Sequence, residues 1–132
     1  MSQALDNLSK ERTAVMYLRA ASADRQDQRH DIAEQRDACT REAERLDAIV
    51  VKAFVDGGVS GNTTNRRGLR RLLQWITERP VRYVIVRDST RLARNPVDDA
   101  AIRQRLDQAG VTLVSASDGA SPTVDELLRS MR

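Results

Sequence analysis

Four short apolar runs, each separated from the next by a segment of helical spacing, constrain this chain more than any other feature. RTAVMYL (12–18), AIVVKAFV (48–55), VRYVIV (81–86) and VTLVSA (111–116) are nearly continuous in apolar character and rich in β-branched residues, the pattern of strands covered on both faces. DIAEQRDACTREAERL (31–46), RGLRRLLQWITE (67–78) and NPVDDAAIRQRLDQAG (95–110) carry good helix formers at helical spacing. In the second, Leu69, Leu72, Leu73 and Ile76 share a face and Pro80 ends the helix; in the third, Pro96 occupies the first turn and Gly110 the end. A short final helix is expected over TVDELLRSM (123–131). Strands alternating with helices pair in parallel through right-handed crossovers. The pattern predicts a three-layer α/β/α domain with a mostly parallel sheet of about four strands.

A chain of 132 residues is long enough for one core, and 1–132 reads as a single domain with residues 1–11 flexible. No apolar run approaches the roughly 18 residues of a membrane span, and the polar start MSQALDNLSKERT is no secretion signal. One cysteine allows neither an internal disulfide nor a metal cluster and suits a reducing cytoplasm. Cys39 shares a helical pattern with Ile32, Ala43 and Leu46 and is expected in the core. His30 is the single histidine, which leaves no transition-metal set, and a Ser-His-Asp set only if His30 sits beside Ser22. Of 22 basic residues only Lys10 and Lys52 are lysine. Arginine makes forked contacts to phosphate oxygens, but at a net charge of +3 any nucleic-acid contact must come from placement. The four aromatics, Tyr17, Phe54, Trp75 and Tyr83, are scattered, which argues against a base-stacking platform.

Parallel α/β sheets bind ligands outside the carboxyl ends of their strands. The residues to inspect are Arg19 and Ser22, then Asp56 to Arg66, then Asp88 to Arg94, then Ser115 to Ser121. The loop DGGVSGNTT lacks the GK[ST] ending of a nucleotide-binding loop and reads equally as a plain surface loop.

Taken in order, Y17-L-R19, S22-A-D-R-Q26, Gln35, D56-G-G-V-S60-G61, N65-R66-R67-G68-L69 and R91-L-A-R94 resemble the catalytic domain of the serine recombinases, the resolvase–invertase–integrase group. The resemblance implies a resolvase-like fold, cleavage and rejoining of double-stranded DNA through a 5′-phosphoserine link, a homo-oligomer, and no cofactor, metal or membrane. It implies Ser22 as nucleophile, with Arg19, Arg66, Arg91, Arg94, Gln26 and Asp56 in the catalytic set. Asp88, Gln35 and Ser60 are further candidates, and Arg25, Arg67 and Arg70 would touch DNA. Fixed guanidinium groups suit this chemistry because the attacked phosphodiester gains negative charge.

The chain also departs from the family pattern. Ala21 stands at the family's serine spacing from Arg19, while Ser22 keeps the spacing to Gln26; Ser22 is either the nucleophile or a cap on the following turn. Thr90 replaces the usual aspartate, so the proton donor is Asp88, two residues earlier along an extended stretch, or Thr90, or absent. Asn65 replaces the aspartate before the loop arginine. Neither the family's long dimerisation helix nor its DNA-binding domain is evident in the sequence. Two other readings remain: a recombinase-like domain without strand exchange that binds DNA or protein, and a receiver-like domain phosphorylated on Asp56. Arg70 and Arg71 also fit a plain solvated helix face.

Overall fold

The computed structural model describes residues 12–20, 24–57, 66–93 and 95–116. Four strands, β1 (Thr13–Arg19), β2 (Ile49–Asp56), β3 (Tyr83–Val86) and β4 (Thr112–Ser115), form one sheet in the order β2-β1-β3-β4. All neighbouring pairs are parallel. The helices are α1 (Arg25–Arg45), α2 (Arg67–Glu78), α3 (Ser89–Leu92) and α4 (Pro96–Gln108).

The strand order explains the layers. The chain steps from β1 to β2 on one side, then crosses back over β1 to β3 and continues outward to β4. With right-handed crossovers, the first step places its helix on one face and the next two place theirs on the other. Accordingly Cys39 and Ala43 of α1 pack on Ala14, Met16, Leu18, Ile85 and Val114. On the opposite face Leu69, Leu72, Leu73 and Ile76 of α2, with Ile102 and Leu106 of α4, cover Val15, Tyr17, Phe54, Val84 and Val86. The reversal of direction falls between β1 and β3, so the crevice outside their carboxyl ends is where this architecture binds ligands.

The ends of α2 and α4 follow their sequence signals. Helix α2 occupies 67–78 as its leucine spacing requires. Helix α4 starts behind Asn95, whose side chain accepts from the Asp98 N–H, and the turn that follows its end carries Gly110 at φ 71°.

Three expectations need correction. Helix α1 begins at Arg25 rather than near Asp31, because Asp24 accepts the Gln26 and Asp27 N–H groups and holds a first turn that contains no apolar residue. Residues Ser89–Leu92 form a single helical turn behind an extended Asp88, so the strand rule for Asp88 and Thr90 does not apply. Finally, β2 is not covered on both faces: Ile49, Val51 and Val55 are exposed among the described residues. Among the described residues it is an edge strand paired with β1 alone, and the register shift opposite Ala14 and Val15 makes Val51 an extra residue. Residues 1–11 and the helix expected over 123–131 lie outside the described residues.

Candidate active site at the carboxyl ends of β1 and β3

Asp56 closes β2 and is buried, which requires partners for its carboxylate. Oδ1 accepts from the Gly68 N–H at 2.7 Å; Oδ2 accepts from the Leu69 N–H at 3.0 Å and the Tyr17 hydroxyl at 2.7 Å. The residue at the N-cap position of α2, Arg66, makes no side-chain cap, so Asp56 caps the helix from the neighbouring strand. This contact demands glycine at 68: a Cβ there would lie 2.8 Å from the Val55 carbonyl oxygen and 3.0 Å from Asp56 Oδ1. A carboxylate committed in this way is not a phosphorylation site, which removes the receiver-like reading.

Arg66 turns back over β1. Its Nε and Nη2 donate to the Tyr17 hydroxyl at 3.3 and 3.1 Å, and Nη2 also donates to the Arg91 carbonyl at 3.1 Å and to the Leu92 carbonyl. Its guanidinium carbon lies 5.5 Å from the centre of the Tyr17 ring. Burial raises the Tyr17 phenol well above its ordinary range, and the hydrogen bond to Asp56 adds to the rise.

Arg19, at the end of β1, reaches the same turn. Nε donates to the Arg91 carbonyl at 3.0 Å and Nη2 to the Thr90 carbonyl. Its backbone is clamped by buried Gln35 of α1, whose Oε1 accepts from the Arg19 N–H at 3.1 Å and whose Nε2 donates to the Arg19 carbonyl at 3.0 Å. Gln35 thus holds Arg19 in place with both ends of its amide.

Arg91 is held differently. Nη1 donates to Asp31 Oδ2 of α1 at 3.1 Å and to the Arg19 carbonyl at 3.2 Å, and Nε lies 3.7 Å from Asp88 Oδ2. Asp88 caps α3, accepting from the Thr90 N–H at 3.0 Å and from the Thr90 hydroxyl. Its carboxylate is engaged as an acceptor, and the Thr90 hydroxyl is spent on it. The hydrogen-bond and ion-pair partners of Arg66 are all neutral among the described residues, whereas Arg91 faces two carboxylates.

The structure therefore brings Arg19 and Arg66 together on the carbonyls of residues 90–92, with Arg91 on the Arg19 carbonyl and Gln35, Asp56 and Asp88 in support. Gln26, Arg25, Arg67 and Arg70 are exposed; Gln26 and Arg25 open α1, and Arg67 and Arg70 lie in the first turn of α2. Ser22, Ser60 and Arg94 lie outside the described residues. The cap that α1 needs is already supplied by Asp24, which leaves that duty unneeded from Ser22. Tyr17 stood in the family motif without a role, and Asp31 was not singled out by sequence reasoning; Asp31 precedes Gln35 by four residues on α1, the spacing that puts both on one face. Cys39 is buried in the core, and burial pushes its thiol up to about 12. Among the described residues no group of three or more His, Cys, Asp or Glu side chains could hold a metal ion, and no helix is long and apolar enough to cross a membrane.

The family model of the resolvase N-terminal domain matches residues 14–132. No curated protein matches the chain. Among solved structures it is similar to the C-terminal catalytic domain of ISC1926 TnpA, an IS607-like serine recombinase: 27% identity, 90% of this chain and 77% of that one covered, TM-score 0.68. It is also similar to the N-terminal catalytic domain of TP901-1 integrase, at 22% identity, 91% and 90% coverage and TM-score 0.74. A resolvase family site-specific recombinase from Streptococcus pneumoniae gives 22% identity, 91% and 84% coverage and TM-score 0.71. The last two carry the same fold.

Proposed function

The chain belongs to the resolvase N-terminal domain family, and from that premise we propose that it is a DNA recombinase domain that cuts and rejoins duplex DNA through Ser22. The observation that carries the reading is the convergence of Arg19 and Arg66, from separate elements, on the turn beside the β1–β3 crevice. Ser22 follows the last described residue of that strand end, Ala20, by two positions.

In this reading the Ser22 Oγ attacks a backbone phosphorus, and the new Oγ–P bond forms as the bond to the 3′ oxygen breaks. The serine gives its proton to water and the departing 3′ oxygen takes one from water, since the Asp88 carboxylate is an acceptor here and the Thr90 hydroxyl is spent on it. Arg19, Arg66 and Arg94 surround the phosphate, whose non-bridging oxygens gain charge in the attack, while Arg91, held by Asp31 and Asp88, fixes the turn after β3 against the end of β1. The phosphoserine ester keeps the energy of the broken link, so reversal by a 3′-hydroxyl rejoins DNA without another energy source. Arg25, Arg67 and Arg70 contact the backbone of the duplex, and further copies of the chain supply the other strands to be exchanged. The work is cytoplasmic, needs no cofactor, and is carried out by one catalytic domain.

The test is a duplex with a nick beside the scissile phosphate, incubated with the full chain, denatured, and probed for protein linked to a 5′ end. An adduct that maps to Ser22 and is lost in Ser22→Ala is the expected result. Ala21 at the family's serine spacing favours one second reading, a recombinase-like domain that binds DNA without cutting it. Duplex binding with no adduct in wild type would establish that reading instead.

A further inference from the structure

We propose that the Tyr17 hydroxyl is the positioning group for Arg66, coupling it to the buried Asp56 carboxylate without neutralising it. The inference rests on the reading of Arg66 as a phosphate-contacting residue. A phenol hydroxyl has one proton to give and lone pairs to accept with. Tyr17 gives its proton to Asp56 at 2.7 Å and accepts from Arg66 Nε and Nη2 at 3.3 and 3.1 Å. Among the described residues no hydrogen bond joins Asp56 to Arg66; the acceptor positions of Asp56 go to Tyr17, Gly68 and Leu69.

The order carboxylate–hydroxyl–guanidinium has a physical consequence. The negative Asp56 polarises the O–H, which makes the phenol oxygen a better acceptor for Arg66. A direct ion pair would hold the arginine as firmly but would cancel the charge a phosphodiester needs. Among the described residues the guanidinium is held by neutral groups: the hydroxyl, two carbonyls and the face of the same ring. Phenylalanine at 17 would keep the ring and the core packing but remove both hydrogen-bonding functions.

The experiment is heteronuclear NMR on isotope-labelled full chain, following solvent exchange of the Arg66 Nε–Hε group. In wild type it should exchange about tenfold more slowly than an exposed arginine. Tyr17→Phe should abolish that protection while the Gly68 and Leu69 amides, bound to Asp56, keep theirs. Unchanged Arg66 protection overturns the proposal, and so does loss of all three together, which is what a merely structural tyrosine would give. Arg66→Ala reads the same pair from the other side: the Tyr17 ring resonances should shift while those of Tyr83 stay, and an unshifted Tyr17 overturns it. Affinity for a short duplex at low salt completes the cycle. Tyr17→Phe should weaken binding about threefold in wild type and not at all in Arg66→Ala. Equal weakening in both backgrounds counts against the proposal. If Arg66→Ala leaves affinity unchanged, the DNA reading of Arg66 fails, while the NMR result still decides the positioning role.

Discussion

The chain leaves β2 at Asp56 and approaches its next turn after β3 at Asp88, and both aspartates cap the helix that follows while standing near an arginine. At the first turn the carboxylate is buried and reaches Arg66 only through Tyr17. At the second, Asp88 and Asp31 face Arg91 directly, at 3.7 and 3.1 Å. The difference separates two uses of the same side chain. Arg91, compensated by carboxylates, ties α1 and the end of β1 to the turn after β3. Arg66, held by dipoles and a ring, keeps its positive charge for an anion at the crevice.

The sharpest way to break the first turn is to remove its carboxylate. Asp56→Ala strips an acceptor from the Gly68 and Leu69 N–H groups and from Tyr17, and should cost about 3 kcal/mol in a denaturant titration. Gly68→Ala drives a Cβ against the Val55 carbonyl and should cost about 2 kcal/mol by the same measurement, since backbone cannot yield as a flexible side chain does. Gln35→Leu removes the side-chain acceptor of the Arg19 N–H and one of the donors to its carbonyl, and should cost about 1–2 kcal/mol. At the second turn Asp31→Ala should cost about 1 kcal/mol, because the hydrogen bond from Arg91 to the Arg19 carbonyl remains. An Asp31 effect larger than that of Asp56 would reverse the ranking of the two turns.

A separate effect, away from both turns, is a pH dependence from the core. The folded thiol of Cys39 stands at about 12 against an ordinary 9.0, so the native state keeps its proton where the unfolded chain loses it. Its contribution is complete below pH 9 and falls away as pH rises toward 12. Tyr17, raised in the same direction, adds to the loss. Denaturation midpoints measured across that range should fall with pH, and more steeply in wild type than in Cys39→Ala.

Much of this was legible from residues alone. Four leucine-class residues at helical spacing and Pro80 fixed α2 to the residue, and the alternation of elements led to the parallel sheet. The start of α1 was hidden because RQDQRH has no apolar member, and α3 because four residues make no periodicity. The exposure of β2 depends on which strand ends up at the edge, a property of the whole sheet. Within the site, Arg19, Arg66 and Arg91 were legible from their places after strands. Gln35 and Tyr17 stood in the motif, but what they hold did not: Gln35 binds backbone, and the role of Tyr17 rests on two partners, 39 and 49 residues away. Such pairings leave no local pattern.

The central contrast, a free charge on Arg66 against a compensated one on Arg91, is tested most directly by the salt dependence of duplex binding. Affinity of wild type, Arg66→Ala and Arg91→Ala for one short duplex is measured over a range of salt, and log K is plotted against log salt. Taking one arginine off a phosphate should make the slope shallower by about 0.9. Arg66→Ala is expected to show that reduction and Arg91→Ala little change. A wild-type slope in Arg66→Ala, with the reduction appearing in Arg91→Ala, would contradict the contrast.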